Sequence, residues 1–370
     1  MTRIVLLGNG EPHLFLLDAI RRGRLKGADV TLIAPVEPEV LGPMLAGVLA
    51  GRIRQRDAEP DLAALARAAG AHVRSTAVAR LDAAARAVHL ADGETVSWDL
   101  LSIATQPEPE AGPSQLARAV AARPASAALP LGAELERLTR ESPAAVHVVV
   151  VGSGLRGIEA ACAVRARLGA AKRGFGDVVT VVERESQLLP RFSAGAGRAV
   201  ERVLVRQRIG VATGTGVVGG EGSNLRLDHG GSMRADLVIW AGNIEPAPLL
   251  GTSGLETNAA GFVITDVGLR SVSHPSVFAA GAAGAVREGL GADRRTRPAR
   301  RDAAALVRAL RAGMQGDLTS VHRPTRPVAT FLDTSDGRAL VFGQGLTVHS
   351  AAAFFLKERR DREILQRLRV

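Results

Sequence analysis

Gly152-Ser153-Gly154-Leu155-Arg156-Gly157 lies between an all-apolar run, Val148 to Val151, and a helix-like stretch from Ile158 to Leu168. Glycines at this spacing build a phosphate cradle. The first permits the tight turn, the second lets backbone N–H groups approach a pyrophosphate, and the third lets helix and strand pack closely. Glu183 ends the next apolar run, Val178-Val179-Thr180-Val181-Val182, where a carboxylate can accept hydrogen bonds from an adenine ribose. An acid there favours NADH over NADPH, whose 2′-phosphate it repels, although Arg184 stands beside it.

A second cradle, Gly8-Asn9-Gly10-Glu11-Pro12-His13, follows Ile4-Val5-Leu6-Leu7. His13 occupies the third-glycine position, and Pro12 is tolerated in a first helical turn, where its missing N–H costs nothing. Ala34 stands where Glu183 has its counterpart, so this cradle lacks a ribose anchor and a vestigial site competes with a working one. Cys162, the single cysteine, excludes a Cys-x-x-Cys redox pair and reads as a buried alanine-sized residue. The eight histidines show no metal-ligand spacing, and no metal site is expected.

The elements that position these residues repeat. Ile4 to Gly10 and Val148 to Gly154 superpose at an offset of 144 residues, each followed by a helical pattern and a second strand. Short runs apolar throughout are the mark of parallel strands buried on both faces. Asp92-Gly93 marks a hairpin within residues 71–104, and Asp336-Gly337 marks a strand pair in the tail. Five prolines in residues 106–130, among them Pro113 and Pro124, read as a crossing. A helix is expected over 299–312 and a basic amphipathic helix over about 351–369.

Composition narrows the function classes. The 370 residues carry Lys+Arg 47 against Asp+Glu 37, a net charge of +10. With only three lysines, 44 of the 47 cations are arginines dispersed along the chain, and aromatics are 3%. A nucleic-acid surface needs clustered cations and, for single strands, stacking aromatics, so none is expected. No apolar run approaches the ~20 residues that span a bilayer. The expected location is cytoplasmic. Peripheral contact with the inner face of a membrane, through Phe354 and Phe355 of the last helix, competes with docking of that helix on its own chain.

The order of motifs resembles the flavoproteins of the pyridine nucleotide-disulfide oxidoreductase superfamily, nearest to type II NADH dehydrogenases and the oxidoreductases found with selenophosphate synthetases. Met44-Leu45-Ala46-Gly47, Gly152 to Glu159, Glu183 through Pro190, Asp236 to Ala241, and His274 to Gly281 carry the resemblance. It implies an α/β fold of two Rossmann-like dinucleotide-binding domains, one inserted in the other, plus a small C-terminal α+β segment. Residues 1–107 and 250–323 would form the FAD-type domain, 108–144 a crossing segment, 145–249 the NAD(P)H domain and 324–370 the C-terminal segment. It implies that Gly8, Asn9, Gly10, His13, Ala104, Thr105, Gly281 and Ala282 adjoin FAD. Gly152, Ser153, Gly154, Gly157, Glu183 and Gly242 would adjoin NADH, with Glu159 catalytic near nicotinamide and flavin.

Departures from the family fall on the FAD side. Ala282 replaces an aspartate that binds the ribityl chain, Gln106 replaces a glycine, and Pro298 to Asp302 replaces a segment with Lys and Gln. Two functions follow as expectations. One is an FAD-dependent NADH oxidoreductase passing electrons to a quinone or small acceptor. The other is a flavin-poor member of the fold with a non-redox catalytic or partner-binding role, its cavity holding another ligand. A homodimer stays open.

Overall fold

A computed structural model describes residues 1–109, 119–122, 125–142, 144–171, 176–242, 244–287, 298–323, 325, 329–343 and 345–370. Pro113 and Pro124 of the expected crossing lie outside the described residues.

The apolar runs form two five-stranded parallel sheets. In the first, strands Val277–Ala279, Leu100–Ile103, Thr2–Leu7, Ala28–Ile33 and His72–Arg74 lie side by side. In the second, the order is Ile209–Thr213, Val178–Glu183, His147–Val151, Leu237–Trp240 and Ala119–Ala121. The first sheet thus takes its last strand after the second sheet is complete, which is the insertion expected from the sequence. Register repeats along with order. Ile4 pairs with Val30 as Val148 pairs with Val179, and the glycine ending each strand donates to its neighbour (Gly8 to Ile33 O, Gly152 to Val182 O) at 2.8 Å.

The duplication reaches further than the glycine turns. Each unit carries a three-stranded antiparallel meander: Val78–Asp82, Ala87–Leu90 and Thr95–Ser97 in one, Val217–Glu221, Asn224–Leu227 and Ser232–Arg234 in the other. Gly93 turns the first meander at φ +90°, the left-handed region where a side chain would be strained. Ala119–Ala121, within the expected crossing, instead pairs with Leu237–Trp240 as an edge strand of the second sheet.

The tail folds as the sheet Thr330–Asp333, Ala339–Gly343 and Leu346–Ser350, followed by the helix Ala351–Leu368. Ser350 caps that helix, its Oγ accepting from Ala353 N at 3.1 Å. The helix docks on its own chain: Leu365 and Leu368 enter the core, and Arg367 Nε donates to buried Asp18 at 2.6 Å. Phe354 lies under the Arg52 guanidinium at 4.9 Å, while Phe355 and Leu356 stay exposed. No described helix is long and apolar enough to cross a membrane. One continuous core runs from Ile4 and Leu32 through Leu45 and Ile158 to Leu340, so both units and the tail share it.

Candidate functional site

The two glycine turns start from equivalent strands and end in different surroundings. At the second, a Cβ on Gly152 (φ +101°) would meet Ala241 O at 2.7 Å, and one on Gly157 would overlap Gly152 O. Gly152 is therefore required by the close approach of the chain at Ala241, and Gly157 by the close approach of the helix Leu155–Ala170 to the turn. Nothing lies within 4 Å of a Cβ built on Gly154, so this turn opens onto space. The space is a cleft of about 850 Å³ lined by Gly152, Ser153, Gly154, Glu183, Trp240 and Gly242, among others. That is within the usual range for cofactor sites, roughly 300–1,000 Å³. The helix has no acid in its first turn, which keeps its N-terminal partial charge available to an anion.

Glu183 is anchored at the edge of this cleft. One carboxylate oxygen accepts from Ser153 N at 2.8 Å and Ser153 Oγ at 2.6 Å, and the other accepts from Glu185 N at 3.1 Å. Trp240 is a site residue that the motifs do not single out: it lines the cleft, and its Nε1 is buried with no hydrogen-bond partner among the described residues. Its signal was available: it ends the strand directly before Ala241-Gly242.

At the first turn, Gly8 and Gly10 pack against the strand end at Ala104. A Cβ on Gly8 (φ +99°) would meet Ala104 O at 2.6 Å, and one on Gly10 would collide with the same oxygen. Gly10 N already donates to Ala104 O at 2.7 Å. Glu11 begins the helix Glu11–Arg21 and its carboxylate accepts from Gly42 N at 2.5 Å. Arg156 reaches across from the second unit, donating to Gly42 O and pairing with Glu159 at 3.4 Å. The remaining cavity is about 230 Å³, lined by Asn9, Gly10, Ala104, Thr105, Gly281 and Ala282 together with Glu11, Glu39 and Arg156. Glu39 lies above the usual carboxylate pKa because it is buried, with Glu11 adding to the effect against hydrogen bonds from Ser126, Ala125 and Gln106. Gly281 N donates at 3.2 Å to Asp302, a carboxylate inside the helix Ala299–Met314.

FAD does not fit these residues. Its pyrophosphate needs open backbone donors at the glycine turn, and here the Gly10 N–H is spent and Glu11 places a carboxylate on the helix start. Ala34 and Ala282 supply no acid to ribose or ribityl hydroxyls, and the cavity is smaller than cofactor sites of roughly 300 Å³ and above. Gly8 and His13, expected beside a flavin, do not line the cavity.

His13 has a structural place instead. Its ring fills the third-glycine space, fully buried, with Nδ1 2.7 Å from Gly8 O and Nε2 2.9 Å from Ser102 Oγ. A carbonyl only accepts, so Nδ1 carries the proton and Nε2 accepts from the serine. Burial drives its pKa down to about 4, against a smaller upward pull from Gly8. The unfolded chain therefore binds an extra proton between about pH 6.5 and 4, and stability falls as pH drops through that window. The loss is expected to reach about 3 kcal/mol. Urea unfolding of wild type and His13→Asn across this range checks it; the variant's profile should be flatter.

Glu159 is not at the cleft. It is buried, its Oε1 accepts from Asp333 N at 3.2 Å, and burial raises its pKa against the nearby Arg156 and Lys357 cations. The expected catalytic glutamate thus meets the tail sheet, where Asp333 N is its partner, while Arg156 pairs with it from one turn earlier on the same helix. Gly157 serves helix–strand packing and does not line the cleft. Burial pushes the Cys162 thiol well above its ordinary pKa, in keeping with an inert core residue. Among the described residues no group of His, Cys, Asp and Glu could hold a metal.

Comparison with known proteins places the chain in a family. Residues 4–305 match the family model described as pyridine nucleotide-disulphide oxidoreductase. An NADH dehydrogenase-like protein of Mycobacterium tuberculosis H37Rv is 28% identical over 307 residues, covering 78% of this chain and 74% of that protein. The type II NADH:quinone oxidoreductase of Haemophilus influenzae is 26% identical over 144 residues, 37% of this chain and 32% of its own. Among solved structures, the sulfide:quinone oxidoreductase of Aquifex aeolicus superposes with a TM-score of 0.86 at 16% identity, over 100% of this chain and 91% of that one. NDH2 of Plasmodium falciparum gives 0.80 at 14%, over 98% and 97%. These two likenesses concern the fold. The chain belongs to the pyridine nucleotide-disulphide oxidoreductase family, whose members are NAD(P)H-dependent oxidoreductases and in general bind FAD and NAD(P).

Proposed function

We propose that this chain is an NADH-dependent oxidoreductase that holds the dinucleotide in its second unit and works without a retained flavin. The carrying observation is the open turn at Gly154 beside the anchored Glu183, against the closed turn at Gly10. Arg156 and Ile244 line both the large cleft and the small cavity, so the two spaces adjoin. The reading is that a small acceptor, such as a quinone headgroup, meets the nicotinamide from the small-cavity side. The buried Cys162 leaves no route through a redox disulfide.

Trp240 supplies the test. The chain has two tryptophans, and the other, Trp98, is buried in the first unit. Titration with NADH is expected to quench Trp240 emission, with NADPH binding at least about tenfold more weakly; Trp240→Phe removes the signal and controls for its source. Glu183→Arg is expected to reverse the preference, because a guanidinium pairs with the 2′-phosphate that a carboxylate repels. Absence of NADH binding to the wild-type chain rejects the reading.

A further inference from the structure

Ser153 occupies the free position of the Gly-x-Gly turn and is fully buried. Its hydroxyl has two partners. It donates to Glu183 Oε2 at 2.6 Å and accepts from Leu189 N at 3.2 Å. A hydroxyl is the smallest side-chain group that can do both. With Ser153 N also on Oε2 and Glu185 N on Oε1, the protein fills three of the roughly four acceptor sites of this carboxylate. The carboxylate is held in one orientation, with acceptor capacity left on Oε1 for a ribose hydroxyl.

Leu189 is held with it. Its φ is +49°, a left-handed conformation that costs a non-glycine residue free energy and persists only where surroundings enforce it. Leu189 is fully buried and opens the segment Leu189–Phe192, which forms the cleft wall next to Glu183. Ser153 therefore clips the wall and the acid to the same turn.

The cleft also contains cations. Arg184 and Arg191 line it, and guanidinium groups suit a 2′-phosphate. The choice between dinucleotides then depends on Glu183 staying where it meets the ribose rather than swinging toward an arginine. We propose that Ser153 is a specificity-determining positioning residue, fixing Glu183 so that the cleft accepts an unphosphorylated adenine ribose and rejects a 2′-phosphate. This rests on the reading of the cleft as a nicotinamide-dinucleotide site.

The test is a double-mutant cycle of Ser153→Ala and Glu183→Ala, read by Trp240 quenching with NADH and with NADPH, and by thermal unfolding. Ser153→Ala is expected to weaken NADH about tenfold and to move NADPH less than about twofold, with no further effect on NADH when Glu183 is already alanine. Equal weakening of both dinucleotides, or the same tenfold loss in the Glu183→Ala background, overturns the proposal. If Ser153→Ala loses its cooperative unfolding transition, Ser153→Cys keeps the shape with weaker hydrogen bonds and is expected to narrow the NADH preference; an unchanged preference there also overturns it. Failure of the wild-type chain to bind NADH rejects the underlying reading instead.

Discussion

Protein purified without added cofactor is expected to be colourless, and incubation with FAD followed by desalting is expected to leave no flavin on the chain. The expectation follows from charge and room. A pyrophosphate at the first glycine turn would meet the Glu11 carboxylate, which Gly42 N holds in place at 2.5 Å. Like charges a few ångströms apart repel by on the order of a few kcal/mol at the effective dielectric of a partly buried site. Ala34 and Ala282 forgo two charge-assisted hydrogen bonds, each worth roughly 1.5–3 kcal/mol. Those two losses alone weaken binding by on the order of 10²–10⁴-fold if they add. Space opposes the cofactor as well, since the cavity is about 230 Å³ and Arg156, hydrogen-bonded to Gly42 O, is part of its wall. The visible absorption spectrum checks the expectation. A yellow preparation holding about one flavin per chain overturns it and restores FAD as the hydride acceptor.

The features that sequence reading caught share one property: their cause is local. Val148 to Val151 followed by Gly-x-Gly dictates a buried parallel strand and a tight turn whatever lies elsewhere, and Asp92-Gly93 turns a hairpin on its own. The internal repeat multiplied that local information, since each unit served as a check on the other. Glu183 was legible for the same reason, as strand length fixes where the second strand ends.

What escaped depended on contacts distant in sequence. Glu159 turns to Asp333 N, 174 residues away, and Arg156 to Gly42 O, 114 residues away. No spacing rule reaches such partners. Ala119–Ala121 is apolar but only three residues long, too short to read as a strand, and gains its place from the sheet edge at Leu237–Trp240. The closed first turn lay between these cases. His13 and Ala34 were visible as departures, but closure itself came from the Ala104 carbonyl and the Glu11 carboxylate meeting neighbours brought in by the fold.

Lys357→Met is expected to destabilise the chain by about 3–5 kcal/mol, the range for removing one partner of a buried ion pair. Lys357 is 6% exposed, and its ammonium donates to Pro43 O and Asp361 Oδ2, each at 2.7 Å, with Asp333 at 3.9 Å. Burial works against this ammonium, and the carboxylates of Asp361, Glu159 and Asp333 outweigh it, so its pKa lies above the ordinary lysine value. Methionine fills similar volume but leaves those carboxylates facing one another. Arg52, at 2.5 Å from Asp333 and 3.1 Å from Glu358, compensates only part of the cluster. Asp361 and Glu159 already titrate above the usual carboxylate range because they are buried. With the ammonium gone they hold protons to higher pH still. The folded variant then binds more protons than the unfolded chain, so its stability falls as pH rises through that range. Thermal unfolding should accordingly show the larger deficit at neutral pH and a smaller one in mild acid. Adding Asp361→Leu is expected to recover part of the loss, because it removes a buried charge along with its missing partner. The cluster joins Pro43 and Arg52 of the first unit, Glu159 of the second and the tail helix, so the deficit measures how much buried charge holds the three parts together. A deficit below about 1 kcal/mol at neutral pH would mean that water reaches the site and the shared apolar core alone sets their arrangement.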